Sequence, residues 1–414
     1  MNRKLAYNLL AGVAAASMAL ASAAHAQEMK VEVMHNMASP TQQPALKVLV
    51  DAFQAAGGTW VDLPIAGGSK ARAAMVNRAV AGDPADLMYV HAKLVFGELT
   101  AQGLTTAVKP KGWKKFAPHV PASLWEEMVN EKGEVIITPM IVGVHNVGFF
   151  NSDIMKKAGA DVPKTWDELF PVLDKIKASS PDLITLVVSE TPIQVFQTLQ
   201  NITAGVGGVD LYNRIYVDHD PAAFDTPEFK KVAETLRKLK PYTDAGRSSR
   251  VWQDAADLLA TDKAGVMIYG TFAMEALLGA GMQAGTDFEC SNLGGIAVLG
   301  PNGFMYGRPD NENEQKAEDL FASVIMDPKV QAAFVKEGGG IPSRTDADLS
   351  GLNKCMRDVQ PGLADATKNV KDPSMTMSPA MSGAVQDAVV EYWATDSETV
   401  EAFAEKLKAA MAVK

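Results

Sequence analysis

The chain is poor in the residues that build most metal and redox sites. Its 414 residues include only two cysteines, with no C-x-x-C pair, and six histidines, none with a second histidine four positions away. Zinc sites in proteins need closely spaced cysteines and histidines. The H-E-x-x-H, G-x-S-x-G and P-loop motifs are absent as well. The sequence therefore predicts no metal, no cofactor and no catalytic residue.

Positive charge is also in short supply. Lysine and arginine number 39 against 49 aspartates and glutamates, and the formal net charge is −10. Nucleic-acid binding depends on basic side chains that neutralise phosphates, and an acidic chain is repelled by them. We therefore expect no nucleic-acid partner.

Long apolar runs are absent beyond the N-terminus. Arg3 and Lys4 precede an apolar stretch, Leu9–Ala21, and Ala24-His25-Ala26 forms an A-x-A cleavage site. A membrane anchor is the alternative, but a spanning helix needs roughly 20 apolar residues. We predict that residues 1–26 are a cleaved signal peptide and that the mature protein is periplasmic. No cysteine lies near the cut, so lipid anchoring there is not indicated.

Strands and helices alternate over the first part of the mature chain. Three strands and three helices follow one another: Val31–His35, Gln42–Ala55, Trp60–Leu63, Ser69–Val80, Asp86–Val90 and Leu94–Thr100. This βαβαβα order predicts an α/β fold with mostly parallel sheets flanked by helices. A mature chain of about 390 residues exceeds what one hydrophobic core usually supports, so we expect two lobes.

The pattern changes after residue 104. Residues 105–133 look irregular, and two apolar strands, Glu134–Val142 and Asn146–Asn151, follow close together. Thr165 is a good N-cap for a helix that opens with Trp166, because Glu168 stands three residues on. Asp262–Tyr269 reads as a turn and a buried strand. Two helices, Val385–Trp393 and Ser397–Met411, are the clearest elements of the C-terminal part.

Residues 57–104 resemble the first lobe of bacterial extracellular sugar-binding proteins, the receptors of ABC importers. The similarity is also strong at 262–272 and 335–346, and the glucose/mannose-binding branch is the nearest match. The resemblance implies a two-lobed periplasmic-binding-protein fold of type II, joined by a hinge. It places lobe one at 27–141 and 283–340 and lobe two at 142–282 and 341–414. A carbohydrate or polyol ligand, a membrane permease as partner and a monomeric receptor are the functional expectations.

In such receptors the ligand is held by polar groups and aromatic faces on loops at the carboxyl ends of strands. The glycines of one such loop would let the backbone approach a ligand closely. In the corresponding loops of this sequence we predict the following ligand-binding residues: His35, Asn36, Met37, Gln42, Gly67, Gly68, Ser69, His91, His145, Asn146, Trp252, Gln253, Phe272, Arg308, Asp310, Glu337 and Met377.

Several candidates depart from the pattern of glucose binders. Asn36 and Met37 stand where those proteins carry paired aromatics, Gln42 where they carry an acid, and Met377 where they carry a histidine. The sequence thus resembles the scaffold of these receptors but differs from them at ligand-binding positions. These differences weaken the case for glucose as the ligand. For each candidate an ordinary structural role, as a solvated loop residue or a core residue, stays open.

The two cysteines are Cys290 and Cys355. In an oxidising compartment a disulfide between them is the natural expectation. Two buried free thiols are the alternative.

Two other functions compete with sugar import. A receptor of the same fold could bind a non-sugar ligand, such as an acidic or apolar metabolite, or serve a sensor instead of a permease. An exported glycosidase or lyase is the second rival, because paired carboxylates meet in space and not in sequence.

Overall fold

The structure is a computed structural model that describes residues 29–38, 42–91, 99–100, 102–338, 340–359, 363 and 365–413. The predicted signal peptide and most of the helix predicted at Leu94–Thr100 lie outside these residues. Two β-sheets, each covered by helices, form two lobes.

Twelve strands are present among the described residues. They are β1 (Met29–His35), β2 (Gly58–Pro64), β3 (Leu87–Val90), β4 (Thr105–Thr106), β5 (Ile137–Val144), β6 (Val147–Asn151), β7 (Ile184–Val187), β8 (Ala264–Tyr269), β9 (Phe288–Ser291), β10 (Ala297–Gly307), β11 (Ile341–Pro342) and β12 (Asn369–Lys371).

The strands divide into an eight-stranded and a four-stranded sheet. The first has the order β11-β5-β10-β3-β1-β2, with β4 and β12 also paired to β10, and the second has the order β7-β8-β6-β9. We call the elements packed on the first sheet lobe one and those packed on the second lobe two.

The sheets are mixed, and the expectation that each is mostly parallel is wrong. β1 pairs in parallel with β2 and β3, and β7 with β8. The long strand β10 returns from lobe two and runs antiparallel between β3 and β5, and β6 is antiparallel to both of its neighbours. Strands that enter a lobe through the hinge do so without a crossover helix, so they are free of the parallel constraint.

The α-helices surround these sheets. They are α1 (Gln43–Ala55), α2 (Gly68–Val80), α3 (Trp113–Phe116), α4 (Ala122–Met128), α5 (Ser152–Ala158), α6 (Trp166–Ser179), α7 (Pro192–Ile202), α8 (Gly208–Tyr216), α9 (Pro227–Leu239), α10 (Trp252–Ala260), α11 (Thr271–Gly279), α12 (Glu312–Ile325), α13 (Pro328–Gly338), α14 (Lys354–Val359), α15 (Pro379–Ala394) and α16 (Val400–Met411).

Helix α6 shows how local sequence sets these elements. Thr165 caps it, since its Oγ1 accepts a hydrogen bond from the Glu168 amide at 3.2 Å. Its apolar positions recur with helical spacing, and Leu169, Leu173 and Ile176 are fully buried. Each such side chain contributes about 1.5–3 kcal/mol on burial.

Two of the segments that cross between the lobes lie side by side. The first is His145-Asn146, between β5 and β6, and the second is residues 292–296, between β9 and β10. The Asn146 side chain donates from Nδ2 to the Ile296 carbonyl at 2.6 Å, so the two crossings are hydrogen-bonded to each other. They form the hinge.

Chain segments after the hinge alternate between the lobes. β9 pairs with β6 in lobe two, so the return to lobe one begins at β10 and not at residue 283. β11 and β12 pair with strands of the first sheet, although both follow residue 340. Helices α15 and α16 then pack on lobe two through buried residues such as Tyr392 and Phe403.

Cys290 and Cys355 are joined by a disulfide, with their Cα atoms 5.3 Å apart. Cys290 lies in β9 and Cys355 in α14. The bond therefore ties the segment that follows β11 of lobe one to the edge strand of lobe two.

Candidate functional site

A polar network lies at the carboxyl ends of the lobe-one strands. Asn36 follows β1 and His91 follows β3, where their loops meet at the same sheet edge. The Nδ2 atom of Asn36 is 3.3 Å from Nε2 of His91, and Nδ1 of His91 is 2.7 Å from Oδ1 of Asn302. These contacts fit a neutral imidazole that donates through Nδ1 and accepts at Nε2.

The surroundings of His91 favour this neutral form. Its side chain keeps contact with solvent. The protein packed around it lowers its pKa, and the neighbouring Arg72 and His145 act in the same direction, against the opposing hydrogen bond to Asn302. His91 is therefore a neutral hydrogen-bonding group near neutral pH.

His145 occupies the hinge. Its Nδ1 atom is 2.8 Å from Oδ2 of Asp372, which follows β12. Burial by itself raises the pKa of Asp372, but His145 and the hydrogen bonds from Ser374 outweigh it and leave that pKa below its usual value. The ring also lies against the backbone of Gly300, where any Cβ would collide with it.

Aromatic rings extend from His145 into lobe two. The ring of Phe272, in α11, is 6.2 Å from the His145 ring, and the ring of Trp252, in α10, is 5.0 Å from that of Phe272. Trp252 and Phe272 are half-buried, so both retain exposed surface. The two rings meet edge to face, an arrangement that fixes their orientation.

The lobes touch at a second point. Gln42, next to the start of α1, donates from Nε2 to Oε2 of Glu275 in α11 across 3.5 Å. Burial raises the pKa of Glu275 to about 7, and the hydrogen bond from Gln42 opposes that rise. We call the region between Asn36, His91 and Gln42 of lobe one, His145 at the hinge and the α11 side chains of lobe two the cleft.

Other candidates from the sequence serve the scaffold. His35 is fully buried, with Nε2 2.8 Å from Oδ1 of Asp62 and Nδ1 accepting from the Met37 amide at 3.2 Å. Asn146 is 4% exposed and binds both crossings, because it donates to the Ile296 carbonyl at 2.6 Å and accepts from the Val298 amide at 2.9 Å. Both side chains hold backbone segments that carry cleft residues.

The remaining candidates are core or surface residues in the structure. Met37 and Met377 are buried in the two hydrophobic cores. Gln253, Arg308, Asp310 and Glu337 are exposed, and no ion pair joins Arg308 to Asp310 within the described part of the chain. Gly67, with φ of 90°, precedes α2, where Gly68 and Ser69 form the first turn; the side chain of Ser69 is outside the described features.

Sequence reasoning missed three residues of the site. Asn302 lies where the β10 register shifts, and the turn-like Pro301-Asn302-Gly303 was the available signal. Glu275 is the one charged residue of the nine in α11, TFAMEALLG, which marks it as unusual on an apolar helix. Asp372 gives no local signal, because its partner His145 is 227 positions away.

The described residues show neither a metal site nor a membrane-spanning helix. Among the described residues, no three histidine, cysteine or acidic side chains come together as a metal site. Every helix in the described ranges is too short or too polar to cross a bilayer.

Comparison with known proteins assigns this chain to a protein family. The sequence profile of the family described as bacterial extracellular solute-binding protein matches residues 38–332. The chain belongs to this family. A "Probable sugar-binding periplasmic protein" of Rhizobium meliloti (strain 1021) is 31% identical over 386 residues, which cover 91% of each chain. This periplasmic relative confirms the predicted periplasmic location of the solute-binding protein.

Solved structures agree on the fold of the solute-binding protein. The bacterial solute receptor AcbH, which has an exclusive substrate preference for β-D-galactopyranose, aligns with a TM-score of 0.77 at 18% identity, over 92% of this chain and 97% of its own. RafE in complex with raffinose aligns with a TM-score of 0.72 at 14% identity, over 92% and 98%. The predicted two-lobed fold is confirmed.

Proposed function

We propose that this solute-binding protein holds a sugar or polyol between its lobes and delivers it to the permease of an ABC importer. One observation carries the proposal: lobe one holds a hydrogen-bonded amide–imidazole network at its strand ends, and lobe two holds the half-buried aromatic pair Trp252 and Phe272 beside the hinge residue His145. Sugar hydroxyls need donors and acceptors together, and the C–H faces of a sugar ring pack on aromatic rings.

The names of related proteins support a carbohydrate. The Rhizobium meliloti relative is named as sugar-binding, and the two aligned structures concern a galactopyranose receptor and a raffinose complex. The ligand contacts that we assign are Asn36, His91, Asn302, Trp252 and Phe272, with His145 at the floor of the cleft.

The mechanism follows from the hinge. In this proposal the lobes rotate as rigid bodies about residues 145–146 and 292–296, which Asn146 holds together, and the segment between β12 of lobe one and α15 of lobe two bends with them. A ligand that contacts both lobes stabilises the closed form, and the permease then recognises that form. The receptor acts as a monomer, catalyses no reaction and binds no nucleic acid in this proposal.

A specific observation favours an acidic sugar as a second candidate ligand. Arg72, in α2, is exposed, and its positive charge reaches His91. No acidic partner of Arg72 is found among the described ion pairs. A guanidinium at the cleft would pair with the carboxylate of a sugar acid.

A thermal-shift screen tests the proposal. The mature protein is melted with monosaccharides, disaccharides, polyols, sugar acids and apolar metabolites. A ligand at about 100 times its Kd adds about 2.7 kcal/mol to the folded state, which is a visible shift. The shift must disappear in His91→Ala and persist in the matched control His119→Ala, which lies away from the cleft. Silence from every sugar with a shift from an apolar metabolite would contradict the proposal.

A further inference from the structure

Glu275 is a carboxyl group of lobe two that is enclosed by lobe one. It is half-buried in α11, and its Oε2 atom receives the long hydrogen bond from Gln42 at 3.5 Å. Its charge also reaches Tyr89, in β3 of lobe one, and contributes to raising the pKa of that phenol. Glu275 therefore lies at a contact between the two lobes.

Among the described residues, Glu275 forms no ion pair. Burial raises its pKa and the hydrogen bond from Gln42 opposes that rise. The charged groups of the surrounding elements are engaged elsewhere or point to solvent: Lys47 pairs with Asp51, Lys354 with Glu289 and Asp358, and His145 with Asp372, while Asp254 and Asp257 of α10 are exposed. An ionised carboxylate in this position would be poorly compensated.

We propose that Glu275 is a positioning residue for lobe closure: it enters the closed cleft as a neutral carboxylic acid, so that closure takes up one proton from solvent. The carboxylate of the open form accepts that proton, and the acid releases it when the lobes separate. The inference rests on the proposed function only in that closure accompanies ligand binding.

The direction of the pH effect follows from the two states. When the cleft opens, water surrounds Glu275 and its pKa returns toward the ordinary value near 4.5, whereas burial in the closed cleft raises it to about 7. The closed form thus binds more protons between these values, and the closure constant falls as pH rises through that window. From about pH 6 to pH 8 the fall is about tenfold, and above pH 8 it levels off.

Closure can be measured without a ligand. Spin labels on cysteines introduced at Gln54 of lobe one and Asp257 of lobe two, both exposed, report the distance between the lobes. We expect the population at the short distance to decrease relative to the open population by about tenfold from about pH 6 to pH 8. In Glu275→Gln this ratio should not change with pH, and in the exposed control Glu131→Gln it should change as in the wild type.

A second variant protects the test if Glu275→Gln does not fold. Gln42→Glu places a second carboxyl beside Glu275, and two neighbouring carboxyls cannot both ionise cheaply. The closed population of this variant should fall more steeply with pH than that of the wild type. A closed population that is independent of pH in the wild type, or undetectable at about pH 5.5, would overturn the inference.

The proposed function is tested separately from this inference. Any sugar that shifts the melting temperature is titrated into wild type and Glu275→Gln at about pH 6 and pH 8. A sugar that binds wild type equally at both pH values contradicts the proton-linked closure and leaves sugar binding intact. Failure of every sugar contradicts the proposed function, whereas the spin-label distances still decide the role of Glu275.

Discussion

His145 and Asp372 are 227 residues apart in sequence and 2.8 Å apart at the hinge. His145 lies in the first crossing between the lobes, and Asp372 follows a strand that pairs with the start of β10. The pair fastens a late segment of the chain to the floor of the cleft, and it positions the ring that meets Phe272 of lobe two.

We expect His145→Ala to lower the free energy of unfolding by about 1–3 kcal/mol, because it leaves Asp372 buried with its charge unpaired. Urea denaturation at neutral pH measures the loss. In the folded protein the pKa of Asp372 lies below its usual value. The pair therefore stabilises the fold fully at any pH above the usual pKa of an aspartate, and this stabilisation is lost as the pH falls through the folded-state pKa. His119→Ala, which removes a looser and more exposed contact to Asp346, should change stability little.

Trp252→Ala should weaken ligand binding tenfold or more, which corresponds to a loss of about 1.4 kcal/mol or more in the free energy of binding. The ring is half-buried and packs edge to face on Phe272, so its loss removes a ligand face and loosens a second one. The melting temperature without ligand should stay close to that of the wild type. Trp113→Ala, another half-buried tryptophan but in α3 of lobe one, is the matched control. Unchanged affinity in a folded Trp252→Ala protein would remove this ring from the site.

Glu318→Gln should stabilise the protein at alkaline pH. Burial, with the negative charges of Asp86 and Asp319, raises the pKa of Glu318 to about 9, and its Oε1 atom has no hydrogen-bond partner within the described structure. The folded state therefore holds a proton that the unfolded state releases above about pH 4.5, and stability declines from there to about pH 9, by at most about 1.4 kcal/mol per pH unit.

Urea denaturation at several pH values checks this expectation. The Glu318→Gln protein should show a flatter decline than the wild type, and the exposed control Glu131→Gln should follow the wild type. Parallel curves for Glu318→Gln and wild type would mean that the buried carboxyl is not protonated in the folded protein.

Replacing Cys290 and Cys355 by serine should cost about 4 kcal/mol, because the disulfide closes a loop with a sequence separation of 65. Guanidinium denaturation of the oxidised wild type and the double variant measures the difference. The reduced wild type should match the variant. A loss well below 1 kcal/mol would show that the unfolded chain is little constrained by this bond.

Local patterns located several elements correctly, but residues 105–133, which look irregular in sequence, contain the short helices α3 and α4. The predicted first helix and the observed α1 differ by one residue at the start, and Thr165 caps α6 as its sequence indicates. These features depend on side-chain spacing and capping within a few residues. The placement of β9 in lobe two and the antiparallel path of β10 depend on pairing between distant segments, which periodicity does not encode.

The candidate site also contains some residues that local sequence locates and others that only distant contacts bring in. Asn36, His91, His145, Trp252 and Phe272 stand at strand ends or helix starts that sequence alone locates. The structure joins Asn36 to His91, and it brings the rings of His145, Phe272 and Trp252 into contact. His35 is hydrogen-bonded to Asp62 in the neighbouring strand, and Met377 is buried in the lobe-two core, so we do not assign either to the ligand site. Asn302, Glu275 and Asp372 join the candidate site through contacts with residues far away in sequence.

The sequence by itself determined the family, the export signal, the α/β alternation and the absence of catalytic and metal-binding motifs, because all of these are carried by short segments and composition. Tertiary structure alone decided which polar groups face the cleft, which serve the hinge, and how an acid on an apolar helix comes to lie between two lobes. Those outcomes depend on burial and on partners more than 200 residues apart, and only the folded chain provides both.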